Sequence, residues 1–240
     1  MSKRVAISVV VLILGVFAHP GLAQNVEVGA KLGPAITSFG GDADADSKTG
    51  FAIVAFLGYR ISDLFGVYPE LSFVSKGANW TRTDFLQDPL TGNLLELELR
   101  RTADLDYLRL TLPVALLIPI SKQLIGARVF VGPSLSLEVS CQAEARLTET
   151  ELSPSGENLG TTSETVSLPC EGDPNLFVTF PTTNTIDVGL LFGAGVEVRL
   201  GPGMVSGDVR YDLGLTDITE FAPTVKNRSI EILLGYTYAL

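Results

Sequence analysis

The strongest constraint in this chain is a period of two that returns eight times and never extends into an apolar run long enough to be a membrane helix. It is plainest in residues 230–240, I-E-I-L-L-G-Y-T-Y-A-L. In an extended strand Ile230, Ile232, Leu234, Tyr236, Tyr238 and Leu240 share one side, and Glu231, Gly235, Thr237 and Ala239 share the other. One greasy face, one small polar face and tyrosines near the end describe a strand between lipid and a polar lumen, with its rings at the interface. A strand of a water-soluble sandwich alternates too, but rarely finishes on an apolar residue behind two tyrosines.

Seven earlier segments repeat the pattern. Residues 26–36 set Val26, Val28, Ala30 and Leu32 against Glu27, Gly29, Lys31 and Gly33. Residues 51–60 set Phe51, Ile53, Leu57 and Tyr59 against Gly58 and Arg60, and residues 65–76 set Phe65, Val67, Leu71 and Phe73 against Tyr68, Glu70, Ser72 and Lys76. Residues 105–118 oppose Leu108, Leu110, Leu112, Val114, Leu116 and Ile118 to Tyr107, Arg109 and Thr111. Residues 127–140 oppose Val129, Val131, Leu135, Leu137 and Val139 to Arg128, Ser134, Ser136 and Glu138. Residues 186–198 place Asp187 and Glu197 opposite the apolar set, and residues 205–215 do the same with Asp208, Arg210 and Asp212.

The connections alternate long and short: polar residues 37–50, a brief link at 61–64, a long stretch at 77–103, P-I-S-K-Q, the longest at 141–184, the tight L-G-P-G, then 216–227. Within 77–103, L-L-E-L-E-L-R-R at 94–101 alternates again and can pair with the region around Trp80 as a hairpin standing clear of the bilayer. Short turns on one side and long loops on the other are the signature of an outer-membrane barrel with periplasmic termini. The expectation is an all-β fold: one eight-stranded antiparallel up-and-down transmembrane β-barrel, residues 24–240, with short periplasmic turns and long outer loops. A soluble periplasmic ligand-binding barrel has the same strand count, but no reason to sort its loops by length, and it turns its apolar side chains inward. Pro69, Pro113 and Pro133 fall mid-strand, where each deletes a ladder hydrogen bond, so β-bulges or strand ends are expected there.

Residues 1–23 read as a signal peptide: Lys3 and Arg4, the apolar run 5–18, Pro20, then Gly21-Leu22-Ala23 as the cleavage site. The chain has 17 basic and 27 acidic residues. Removing the segment takes Lys3, Arg4 and no acid, leaving 15 basic against 27 acidic, a net charge of −12. A chain so acidic excludes nucleic acid as a partner. The single histidine, His19, leaves with the signal, and with it the usual general base, so no enzymatic activity and no cofactor is expected. Cys141 and Cys170, the two cysteines of an exported chain, are expected to form a disulfide.

Glu27, Lys31, Glu70, Lys76, Arg109, Arg128, Glu138, Asp187, Glu197, Asp208, Arg210, Asp212 and Glu231 all fall on the inward face. An eight-stranded lumen is just wide enough for side chains to fill, so these charges are expected to pair and plug it, with a narrow ion or small-solute channel as the alternative. Arg210 between Asp208 and Asp212 argues for ion pairing over paired-carboxylate catalysis. Asp42, Asp44 and Asp46 copy the opening of a calcium loop, but Ser47 stands where the turn glycine belongs and Ile53 where the bidentate glutamate belongs, so a solvated acidic loop is expected and no metal site.

The segments Y-P-E-L-S-F-V-S-K-G-A (68–78), D-Y-L-R-L-T-L-P-V-A-L (106–116), V-G-P-S-L (131–135), L-G-L-T-D-I (213–218) and K-N-R-S-I-E-I-L-L-G-Y-T-Y (226–238) together resemble the PorT-like outer-membrane β-barrel family. The resemblance implies a small porin-like barrel in the outer membrane of a Gram-negative bacterium. It implies location more than activity. The partners it suggests are outer-membrane lipid, the barrel-assembly machinery reading the last strand, and an extracellular ligand of the long loops, which would give them a recognition or adhesion role.

Overall fold

The structure is a computed structural model describing residues 25–41, 45–89, 91–121, 124–170, 184–218 and 224–240. The proposed signal segment 1–23, with its cleavage site, lies outside the described residues, as do Asp42 and Asp44. Among the described residues eleven strands form one antiparallel sheet: β1 (Val26–Gly41), β2 (Asp46–Arg60), β3 (Phe65–Val67), β4 (Glu70–Gln87), β5 (Leu94–Thr111), β6 (Val114–Ser121), β7 (Ile125–Leu152), β8 (Asn158–Pro169), β9 (Ile186–Leu200), β10 (Gly203–Gly214) and β11 (Val225–Ala239).

Their pairing closes a ring of eight staves. β3 continues into β4 and β5 into β6, because β3 pairs β6 while β4 pairs β5, and both halves lie between β2 and β7. The ring then runs β7, β9, β10, β11 and returns to β1, with Glu27 opposite Ala239 and Gly41 opposite Val225. β8 pairs β7 and stands outside the ring. The L-G-P-G turn is the two-residue hairpin expected, with Gly201 at φ 63°, which a side chain would strain.

The side chains sort as the alternation requires. Leu110 is 55% exposed, Val131 48%, Ile232 47% and Tyr236 43%, whereas Arg109, Glu231 and Tyr107 are completely buried. Apolar atoms exposed on every stave around a buried charged interior are stable only if the surrounding solvent is hydrocarbon.

Two of the three prolines end a strand as expected; the third does not. Pro69 separates β3 from β4 and Pro113 separates β5 from β6, but Pro133 sits inside β7, paired with Leu190. The hydrogen bonds give the reason. Pro69 O accepts from Leu57 N, Pro113 O from Tyr68 N, and Pro133 O from Leu112 N. In an antiparallel strand a residue's N–H and C=O point to the same side. The donor missing from Pro133 therefore faces the break at Leu112–Pro113 and no intact ladder loses it. Gly132 lets this crossing happen, since a Cβ there would run into the Leu112 carbonyl and Pro113.

The strands are longer than the alternation suggested. Residues 37–41 and 46–50 continue β1 and β2 into what reads as polar loop. The stretch 77–103 is not a loop but the continuous β4–β5 hairpin, with Trp80 opposite Arg101 as anticipated. The stretch 141–184 is likewise no simple loop: residues 141–152 finish β7 and 158–169 form β8. A tilted strand crosses the bilayer in about 9–11 residues. β7 has 28 residues, so it rises far beyond the membrane.

Candidate functional site

Two features carry chemistry: the filled lumen, and the sheet that rises above it. The lumen charges fall into two layers. Nearer the short turns, Asp208 receives Lys31 Nζ at 2.8 Å, Arg128 Nη2 at 2.7 Å and Arg210 Nη2 at 3.0 Å. Glu70 takes Arg210 through both oxygens, at 2.6 and 3.0 Å. Glu197 lies 3.7 Å from Arg128. Three cations thus face three carboxylates.

In the second layer Arg109 grips Glu231 at 2.6 and 2.9 Å and reaches Asp212 at 3.0 Å, while Lys76 meets Asp212 at 2.8 Å. Here two cations face two carboxylates, and the hydroxyls of Ser72 and Ser134 complete the bonding of Arg109 and Asp212. Each layer is neutral, which is the condition for holding charge away from water.

Most of the residues assigned to the network from sequence meet in these layers, but three stand apart from them. Glu27 pairs with Arg60 at 2.5 Å at the short-turn end, where Glu197 also comes within 3.8 Å of Arg60. Asp187 is held by neutral donors, Asn227 Nδ2 at 2.8 Å and Thr216 Oγ1 at 2.9 Å, instead of by a cation. Glu138, opposite Tyr107 in the register, stands toward the long-loop end of β7. The Asp208–Arg210–Asp212 run divides between the layers: Arg210 pairs with Asp208, whereas Asp212 turns to Lys76 and Arg109. Among the described residues no group of side chains is arranged to hold a metal, and Asp46 opens β2 opposite Asn79.

The sequence reading set Tyr68 and Tyr107 on the inward face but passed over Phe56 and Phe130. Phe56 lies 4.4 Å from Lys31 Nζ and Phe130 5.2 Å from the Arg210 guanidinium, with Tyr68 and Tyr107 close to Arg128 and Lys76. These rings give the cations a second favourable contact. The signal was present: Phe56 and Phe130 share the numbering parity of Val54 and Arg128, but an apolar ring on the polar side reads as noise.

Among the described residues two cavities border the charged layers. A cavity of about 10 Å³ bordered by Lys31, Tyr68, Glu70 and Arg128 has room for roughly one water molecule. Phe39, Leu105, Tyr107, Ile218 and Val225 pack as an apolar layer toward the long-loop end. At the short-turn end a vestibule of about 180 Å³ opens between Arg60, Glu197, Arg199 and Met204.

Above the rim, the far halves of β4, β5 and β7 join β8 in a four-stranded sheet. A bulge starts it: Asp106 pairs with Ser140 and Tyr107 with Glu138, which leaves Val139 out and moves the inward face of β7 from even to odd numbers. One row reads Trp80, Arg101, Ala145, Val166 and the next Arg82, Leu99, Leu147, Glu164. The opposite face is rich in hydroxyls, with Thr81, Thr83, Thr148, Thr150, Thr161 and Thr165 beside Glu98 and Arg100. The expected disulfide is present, joining Cys141 on β7 to Cys170 just past β8 with Cα atoms 5.4 Å apart. It ties the free strand to the ring where the sheet leaves the rim. At about 3.3 Å per residue the 12 residues 141–152 project roughly 40 Å along the strand.

A closed antiparallel ring, lipid-facing apolar staves and a neutral charged interior define an up-and-down transmembrane β-barrel. Residues 22–220 match the model of the outer membrane protein beta-barrel domain, and the chain belongs to that family. It is an outer-membrane barrel protein. A comparison with curated protein sequences found no match. Among solved structures, Neisserial surface protein A is 16% identical, covering 90% of this chain and 97% of its own at a TM-score of 0.41. The attachment invasion locus protein Ail of Yersinia pestis is 14% identical, covering 90% and 99% at 0.38. An outer-membrane channel of Pseudomonas putida F1 is 11% identical, covering 93% and 100% at 0.28. Likenesses this slight say nothing about what the chain binds.

Proposed function

We propose that the barrel is a closed, non-catalytic membrane scaffold whose work is recognition or adhesion by the sheet above its rim. In this reading the termini lie in the periplasm, the β4–β5–β7–β8 sheet projects outside the cell, and the chain is a PorT-like member of its family. The assembly machinery reads β11, and the surrounding lipid is its permanent partner. The PorT-like assignment draws on the five segments that carry the resemblance, and the orientation on short turns opposite long extensions.

The observation that carries the reading is the contrast between the two features. Most of the lumen charges are paired within two neutral layers, which opposes binding or conduction there. The sheet presents two edges: β8 pairs β7 alone, and residues 80–87 of β4 pair β5 alone. Rigid, clipped extensions on a fixed barrel are where binding surfaces reside. A narrow channel is the competing reading, and the ion pairs that cross the lumen between Arg109 and Glu231 and between Arg128 and Asp208 oppose it.

Two measurements on one preparation test the proposal. Refolded protein in planar bilayers should show no unitary conductance. A variant in which residues 80–101 and 142–169 are replaced by short turns, with Cys141 and Cys170 also changed to Ser, should keep its heat-modifiable mobility but lose attachment of cells to host or bacterial surfaces. Steady conductance in the intact protein, or undiminished attachment by the trimmed one, would refute it.

A further inference from the structure

The seam where β11 meets β10 and β1 carries two cations that the lumen does not use. Lys226 and Arg228 lie on the outward face at the long-loop end, with Arg228 opposite Leu213 on β10 and Ser38 on β1, and Lys226 opposite Gly40. Neither has a carboxylate partner among the described residues, in a chain whose acids outnumber its bases; Lys48, by contrast, is paired with Asp104. A Cβ on Gly40 would lie 2.5 Å from Arg228 Cζ and 2.9 Å from its Nη2, so the guanidinium lies directly over the Gly40 backbone.

Directly below, toward the membrane centre, Ile230 is flanked by Tyr211 and Ile36, and Tyr211 packs against Phe192 in a tilted pair with ring centroids 5.2 Å apart. The stripe then continues through Ile232, Leu234 and Leu32, the last two 67% and 66% exposed. An apolar stripe, an aromatic pair at its upper end and two cations above it that pair with no carboxylate of the described residues follow the profile of one lipid molecule, from acyl chains to anionic head.

We infer that Lys226 and Arg228 form a binding site for the phosphate groups of an outer-leaflet glycolipid, whose acyl chains run down the Ile36, Leu32, Ile230, Ile232 and Leu234 stripe. The site deepens the proposed function, since it rests on the long-loop end facing outward. Holding such a lipid at β11 and β1 would fasten the closing seam of the ring.

The test is a titration of the full chain, refolded in detergent micelles, with a bisphosphorylated acylated disaccharide lipid and with the same lipid after phosphatase treatment. Folding of every variant is checked by heat-modifiable mobility. The phosphorylated lipid should bind at least tenfold more tightly. Lys226→Gln and Arg228→Gln should each weaken it by about fivefold, the worth of one basic group beside an anionic surface, and the pair together by about 25-fold. Arg228→Lys should retain most of the affinity. Arg146→Gln, on the sheet above the rim, should change nothing. Equal binding of the two lipids, equal loss in Arg146→Gln, full affinity in the double variant, or equally tight binding of inorganic phosphate would overturn the site. A micelle has no inside or outside, so the titration stands whatever the orientation. Protease access to residues 153–157 in intact cells tests the orientation separately.

Discussion

Replacing Arg109 by Met tests the lumen network at its centre. Arg109 is wholly buried and holds Glu231 at 2.6 and 2.9 Å and Asp212 at 3.0 Å, with Ser72 on its Nε. Methionine has a similar length and no charge, so the change strands Glu231 in the interior with only the Ser229 hydroxyl, at 3.4 Å, for a partner. Asp212 keeps Lys76. Removing one member of a buried pair costs about 3–5 kcal/mol, because the remaining charge must be desolvated without compensation. The value should fall in that range and not at the sum of three charged hydrogen bonds, since the native pair has already met its own desolvation cost.

The double variant Arg109→Met/Glu231→Leu removes both charges and should recover at least about 2 kcal/mol of the loss, a coupling typical of directly bonded partners. Urea unfolding in lipid vesicles, followed through Trp80, the sole tryptophan, reads both values. A loss below about 1 kcal/mol in the single variant, or a double variant as unstable as the sum of its singles, would mean that water or mobile ions fill the lumen and that the pairing is incidental.

Three other outcomes are expected. Cys141→Ser opens a loop with a sequence separation of 29 and should lower stability by roughly 3–4 kcal/mol in denaturant titrations, an effect reproduced by reducing the wild type; equal stability of both forms would remove the disulfide from the account. Gly132→Ala should destabilise the fold by more than 1 kcal/mol, because the Leu112–Pro113 backbone cannot withdraw, whereas Gly160→Ala, with open space around it, should be tolerated; equal effects in urea titrations would dismiss the close approach at Gly132. Phe130→Ala should cost about 3–5 kcal/mol through its cavity and the lost contact to Arg210, and a cost under 1 kcal/mol would show that the inner layer is not packed.

The ring was legible in the sequence because lipid is an exacting solvent. Ile230, Ile232 and Leu234 had to face outward while Glu231 and Gly235 faced inward, and the outward side of each stave stayed apolar, although Val54, Phe56 and Leu233 are apolar on the inward side too. Where the strands leave the bilayer the rule lapses. Residues 158–169, N-L-G-T-T-S-E-T-V-S-L-P, offer no hydrophobic contrast, and 158–167 are exposed, so β8 read as loop. The Val139 bulge also shifts the parity of β7, which hides its continuation past Ser140. The charged set inside was readable from parity, but partners were not, because pairs such as Arg109 and Glu231 lie 122 positions apart in sequence and meet only when the ring closes. Pro133 looked like a strand breaker, but its missing donor turns toward the gap between β5 and β6, which the sequence does not show.

The central claim is that alternate side chains of each stave touch lipid. Fluorescent labels on single cysteines placed in turn at positions 128 to 131, with the native disulfide left oxidised, test it most directly in vesicles of brominated lipid. The account predicts strong quenching at 129 and 131, where Val129 and Val131 are 44% and 48% exposed, and weak quenching at 128 and 130. Quenching that is uniform along the four positions, or strongest at 128 and 130, would contradict it.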